Sequence, residues 1–174
     1  MPGDACGRAT SGPGSAESRV LAAVERLGIA FEVVRIDPAY ANTAAFCERY
    51  GYALHTSVNC IVVKSRTGDR RYAACCVQAT RRLDVNRRIR GLLGVRKASF
   101  APAEETVALT GMVPDGVTPF GLPDGLPVWV DAEVLRHRQI IVGGGSRELK
   151  LLVPTSALGA LPAAEVVEGL SRPA

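Results

Sequence analysis

No stretch of this 174-residue chain approaches the roughly 20 consecutive apolar residues of a membrane span. The first fifteen residues, MPGDACGRATSGPGS, have no apolar core segment and carry an acid at Asp4, which is not the pattern of a signal peptide. A cytoplasmic protein without a membrane partner is expected. Cysteine is present five times, as Cys6, Cys47, Cys60, Cys75 and Cys76, an odd number with no C-x-x-C spacing. Free thiols in a reducing compartment follow, and a zinc site made from them with His55 does not. Histidine is scarcer still. His55 and His137 cannot supply a recognisable Ser-His-Asp order, and on an extended run His55 and Cys60 would lie apart on opposite faces. GGGSRELK (143–150) lacks the GxxxxGK[ST] spacing of a phosphate loop and runs into a strand-like segment, so a tight hairpin is expected there. No metal and no cofactor is implied.

What is present is the material of one packed domain. The chain is 47% hydrophobic and 22% charged, with enough length for one core and too little for two. A disordered tail is expected over 1–15 and a folded domain over 16–174. The net charge of +4 is modest, but seven basic residues and one acid, Asp84, fall between Arg81 and Lys97. Such a run suits phosphate contact or a merely solvated face, and charge alone does not choose.

Along the chain, SAESRVLAAVERLG (15–28) has the caps and apolar spacing of a helix, and FEVVRI (31–36) reads as a strand. ANTAAFCERYGY predicts a second short helix. Runs over 58–64 and 72–79, joined by SRTGDRR, predict a hairpin. LDVNRRIRGLLGV places Val85, Ile89, Leu92 and Leu93 on one stripe, so a third helix would show Arg87, Arg88 and Arg90 to solvent. A short strand KASF, a helix after Pro102, strands PVWV, QIIV and ELKLLV, and a closing helix PTSALGAL complete the pass. Several strands are joined by turns too short for parallel crossovers. The fold class is therefore α+β, with a mixed, mostly antiparallel sheet and helices packed outside it.

The most specific stretch is TGMVPDGVTPFGLPDGLPVWVD (110–131), with four glycines and four prolines in 22 residues. Loops of this length in a compact domain are commonly binding loops, and Val117, Phe120, Leu122 and Val128 give this one apolar anchors. TGMVPDGVTPFGL followed by LPVWVD, a strand, GGG and LKLLVP resembles, in that order, the YbaK/EbsC family. These are free-standing relatives of the editing domain inserted in bacterial prolyl-tRNA synthetases. TAAFCERYGY and RLDVNRRIRGLLGVRKASFAPAEE are similar to its second helix and to its LD-helix-LG-lysine-strand-EE stretch. The likeness extends over roughly residues 18–161.

The resemblance implies a barrel-like sheet surrounded by helices, and trans-acting hydrolysis of mischarged aminoacyl-tRNA. The partners it implies are the 3′ end and acceptor stem of an aminoacyl-tRNA, with a synthetase as a further possible partner. It places the chemistry at Asn59, Cys60, Gly116 and Thr118. Substrate would lie against Thr110, Gly111, Asp115, Val117, Pro119, Phe120, Gly121, Asp131, Gly143, Gly144 and Gly145. Arg87, Arg88 and Arg90 would meet tRNA. In the family no protein nucleophile is expected, and the substrate's own ribose hydroxyl or side chain assists. Two positions depart from the family pattern. Its strand lysine aligns with Cys60, beside Asn59, and Lys64 lies about 13 Å further along an extended strand. Asp115 replaces the first glycine of a paired-glycine turn. The other reading of such a chain is a module that binds aminoacyl-tRNA, an aminoacyl-adenylate-like ligand or a synthetase without turnover.

Overall fold

Ser15 caps the first helix, its Oγ accepting from the Ser18 amide at 3.2 Å. The structure is a computed structural model that describes residues 15–174; the tail expected over 1–15, with Cys6, lies outside the described residues apart from Ser15. In chain order the elements are α1 (Ala16–Arg26), β1 (Glu32–Arg35), α2 (Thr43–Tyr50), β2 (Val58–Ser65), β3 (Tyr72–Gln78) and β4 (Arg81–Leu83). They continue with α3 (Arg90–Leu93), β5 (Ala98–Phe100), α4 (Ala103–Thr110), β6 (Val128–Asp131) and β7 (Gln139–Gly143). The last are β8 (Leu149–Pro154), α5 (Ser156–Gly159), β9 (Ala164–Val167) and β10 (Ser171–Pro173).

The α+β class is observed, with mixed and mostly antiparallel pairing. A five-stranded sheet runs β5-β2-β3-β6-β9, a three-stranded sheet β1-β8-β7, and β10 pairs with β4. Only β3 with β6 and β6 with β9 are parallel among the described pairs. The central strands are buried on both faces, which is why YAACCVQ reads as a continuous small and apolar run. Val58, Cys60, Ala74, Cys76, Val128 and Val130 face one core, shared with α1, β7 and β8. Val63, Ala73, Cys75, Val77 and Trp129 face a second, closed by Ile89, Leu93, Val167 and Leu170.

The barrel-like closure is not formed. Among the described residues, the five- and three-stranded sheets meet in one isolated ladder contact, the parallel bridge between Ser57 and Ile141. One bridge cannot continue a ladder around a barrel. The outer edge of β2 is consequently paired only toward its end, where Val63, Lys64 and Ser65 meet β5.

Two helices are shorter than expected. In place of one third helix over 83–95, Leu83 ends a strand begun at Arg81 (β4), Asp84 caps a wide helical turn of π type (Val85–Ile89), and only Arg90–Leu93 is α-helical. Pairing with β10, far away in sequence, draws the arginines at 81 and 82 into a ladder. The closing helix is a single turn, after which β9 and β10 were not foreseen. They are anchored by Asp131, fully buried, which accepts from Ser171 Oγ and lies 3.7 Å from Arg81 Nε.

The long loop and the glycine turn interlock. Gly145 N donates to Gly116 O at 2.7 Å. A Cβ on Gly116 would stand 2.7 Å from Ser146 O, and one on Gly143 would stand 2.6 Å from Val117 O. Neither backbone can retreat cheaply, because each is packed against the other. We expect Gly143→Ala to cost about 1–3 kcal/mol, the range of an overpacked site. Gly91→Ala, in open space on α3, should leave stability level or raise it by about 0.4–1 kcal/mol. Paired thermal or urea unfolding curves check both; a neutral Gly143→Ala would refute the interlock.

Candidate active site

The unpaired edge of β2 opens into a cleft of about 420 Å³. Asn42, Thr43 and Phe46 wall it from α2 and its cap, and Asp115 and Val117 from the long loop. Ile141 and Gly143 come from β7 and Lys150 from β8, while Ser57 and the start of β2, Val58 to Ile61, form the floor. The cleft thus lies where β2, β7 and the interlocked glycine segments converge. The long loop and β2 lie far apart in sequence from β7 and β8 and meet only in the fold.

Lys150 is the central charge. It is only 6% exposed, and its Nζ donates to Ala41 O and to Asp115 O, each at 3.0 Å. The Phe46 ring lies 5.6 Å below the ammonium. Burial pulls the lysine's pKa down from its ordinary value, and the Asp115 carboxylate opposes that pull. An ammonium has three protons, of which the two carbonyls take two, so one N–H is left for a ligand.

Asp115 is the one non-glycine residue with a positive φ among the described residues, at 64°. Aspartate tolerates this left-handed conformation better than most side chains. Here the conformation turns the carbonyl toward Lys150 while the carboxylate pairs with Arg147 at 2.7 Å. Arg147 also donates to Pro38 O at 3.0 Å. The replacement of glycine by Asp115 is thereby accommodated by an ion pair that faces away from the lysine contact.

Of the two neighbours at the departing lysine position, Asn59 presents its side chain to the cleft. Its Oδ1 accepts from Thr43 Oγ1 at 2.7 Å, which leaves the amide NH2 without a protein acceptor among the described residues. Cys60 points into the core against Cys76. The Cys76 thiol first, then burial, pushes the Cys60 thiol well above its ordinary pKa, the opposite of what a nucleophilic thiolate needs. Lys64 is occupied elsewhere, by Glu105 at 2.6 and 2.8 Å, and Tyr72 donates to the same carboxylate. Those two bonds hold the Glu105 carboxyl below its usual range.

The remaining expected residues divide between cleft and scaffold. Val117 and Gly143 line the cleft together with Asp115. Gly116, Gly144 and Gly145 are buried behind it in the interlock. Thr118, Pro119 and Phe120 are buried as well, and Thr118 Oγ1 has no protein partner among the described residues. Thr110, Gly111 and Gly121 sit against α1: Arg19 donates to Thr110 O at 3.2 Å, and a Cβ on Gly121 would meet Arg19 backbone at 3.2 Å. Asp131 does not line the cleft, being committed to Ser171 and Arg81. Arg87, Arg88 and Arg90 are exposed. Lys150 and Thr43 were missed in the sequence. The signal for Lys150 was a lone lysine among ELKLLV, in a strand whose alternate residues Leu149, Leu151 and Val153 are fully buried.

Among solved structures, the chain is similar to a candidate trans-editing enzyme for prolyl tRNA synthetase, at 25% identity and TM-score 0.75, covering 88% of this chain and 95% of that one. A second likeness, to the hypothetical protein APE2540, has 24% identity and TM-score 0.77 over 88% of this chain and 99% of that one, and speaks for the fold alone. No curated protein sequence matches. No helix among the described residues is long and apolar enough to cross a membrane. The family model of the aminoacyl-tRNA editing domain matches residues 37–160, which include both glycine segments, Asn59 and Lys150. The chain, with its cleft on the open edge of β2, belongs to the aminoacyl-tRNA editing domain family, the YbaK family.

Proposed function

We propose that this protein hydrolyses the ester of a mischarged aminoacyl-tRNA in trans, with the aminoacyl group in the cleft beside Lys150. The observation that carries the reading is the pair of uncommitted donors there, the third N–H of Lys150 and the amide of Asn59. Ester hydrolysis builds negative charge on the carbonyl oxygen, and donors fixed in place before the reaction stabilise that charge. Lys150 brings a full positive charge on a side chain withdrawn from solvent, where charge counts for more than at the surface. Asn59, held by Thr43, takes part of the role given to lysine in the family.

The cleft offers no free base. Its one carboxylate, Asp115, is paired with Arg147, and neither His55 nor His137 lines it. The attacking water is therefore activated by the substrate, through the neighbouring ribose hydroxyl or the amino acid itself, and the protein supplies position and charge. The same absence of a base favours the second reading, a module that binds the aminoacyl end without turning it over. The proposal includes, on either reading, a cytoplasmic location and a synthetase as a further partner.

Deacylation of a panel of matched and mischarged aminoacyl-tRNAs separates the two readings: turnover of a mischarged species supports the enzyme, and binding without turnover supports the module. On the substrate turned over, Lys150→Met should lower kcat/KM by about tenfold to a hundredfold, the worth of a charge-assisted hydrogen bond of about 1.5–3 kcal/mol. Cys60→Ser should stay within about threefold of the parent, since a thiol held protonated in the core contributes no attack. A loss as large as that of Lys150→Met would restore the thiol to the mechanism.

The pH profile carries a further expectation. Lys150 has its positive charge and its third proton only when protonated, and burial lowers its pKa. Background-corrected kcat/KM should thus fall on the alkaline side, with a midpoint below the ordinary lysine value. Lys150→Arg, which keeps its charge at all working pH values, should remove that limb. An unchanged profile in Lys150→Arg would assign the titration to the substrate.

A further inference from the structure

A second depression opens from the same strand edge. It has a volume of about 410 Å³ and shares Asn59 and Ile61 with the cleft, so the two lie side by side along β2. Its walls include Arg82 and Arg172, which are direct partners in the antiparallel ladder of β4 and β10. Partners placed so project from the same face with Cβ atoms about 4.5–5.5 Å apart, and like charges there repel. Neither arginine has an acid or hydrogen-bond partner among the described residues. Arg81 next to them shows the contrast, being satisfied by Ser171 at 2.7 Å and by Asp131. The single acid on the wall, Asp84, is turned to cap the following helical turn through the Arg87 amide at 3.2 Å.

Phe100 stands on the same wall and is 53% exposed, the highest value among the large hydrophobic side chains described. Two guanidiniums without a counter-ion, beside a ring kept in water, match a phosphodiester followed by a base that needs a stacking surface. A bare anion would explain the arginines and leave the ring idle.

We propose that this depression binds the nucleotide that precedes the aminoacylated one, its phosphodiester on Arg82 and Arg172 and its base against Phe100. The inference rests on the deacylase reading for what occupies the neighbouring cleft. One of its residues lies beyond the part matched by the family model: Arg172 is outside 37–160, which holds Arg82 and Phe100, and it reaches the depression only through β10.

The test compares R82S/R172S with R96S/K97S, which removes two charges from exposed positions outside both depressions. Each is assayed on the mischarged aminoacyl-tRNA and on the matching aminoacyl-adenosine, which has no phosphodiester. With tRNA, R82S/R172S should raise KM by about tenfold at unchanged kcat, and flatten the log–log salt slope by about 0.7–1.4, one to two phosphate contacts. Phe100→Ala should raise KM for tRNA too, and neither variant should change hydrolysis of aminoacyl-adenosine. Equal effects from R82S/R172S and R96S/K97S, or an equal loss on aminoacyl-adenosine, would overturn the site. Binding of a fluorescent ACCA tetranucleotide, followed by anisotropy, tests it without catalysis. If the parent protein turns over neither substrate but binds the tetranucleotide through Arg82 and Arg172, the deacylase reading falls and the site stands. Tetranucleotide binding indifferent to those arginines overturns the site even where deacylation is intact.

Discussion

Two backbones that touch without side chains between them organise the functional end of this protein. Gly116 lies against Ser146, Gly143 lies against Val117, and Gly145 N donates to Gly116 O at 2.7 Å. Side chains at these points would hold the loop and the hairpin apart by at least a methyl group. Because they meet, Asp115 is carried over β8 with its carbonyl 3.0 Å from Lys150 Nζ. The cleft's charge, its wall and its depth all depend on that approach.

The second consequence is electrostatic. A buried lysine is costly unless its protons are satisfied. Ala41 O and Asp115 O satisfy two of them, and the Phe46 ring lies beneath the ammonium. The charge is held in place without a carboxylate in direct contact. A carboxylate there would have neutralised it; instead the Asp115 side chain turns to Arg147, on the outer side. The cation therefore remains available to an oxygen that gains charge during a reaction.

The rest of the fold serves the position of β2. Two cores grip the central sheet from both faces, so the strand is fixed while part of its outer edge stays open between the Ser57 bridge and β5. Beyond it, the buried Asp131 ties β6 to Ser171 and Arg81 and so brings the last strand back to the sheet. That buried carboxylate has a structural task, although the family resemblance implies a substrate contact for it. Its two partners are 40 or more positions away and invisible to local reading.

Local pattern was sufficient where a segment's own period decided its state. Helices α1 and α2, the β2–β3 hairpin, β6, β7 and β8, the α+β class and the importance of the glycine loop were legible, since caps, alternation and turn residues are properties of neighbours in sequence. The resemblance to the editing family rested on the same local order of residues. What depended on distant partners was not legible. The arginines at 81 and 82 became a strand because β10 pairs with them, and at the cleft floor the Cys60 thiol turned to Cys76 in the core while the Asn59 side chain met Thr43. Lys150, read from sequence as one residue of the strand ELKLLV, became the central charge only when Ala41 and Asp115, each on another segment, brought their carbonyls to it. Sequence by itself determined which segments fold and into what class, through short-range sterics and burial period. Tertiary structure alone decided which polar groups converge, because that convergence depends on contacts between residues more than thirty positions apart.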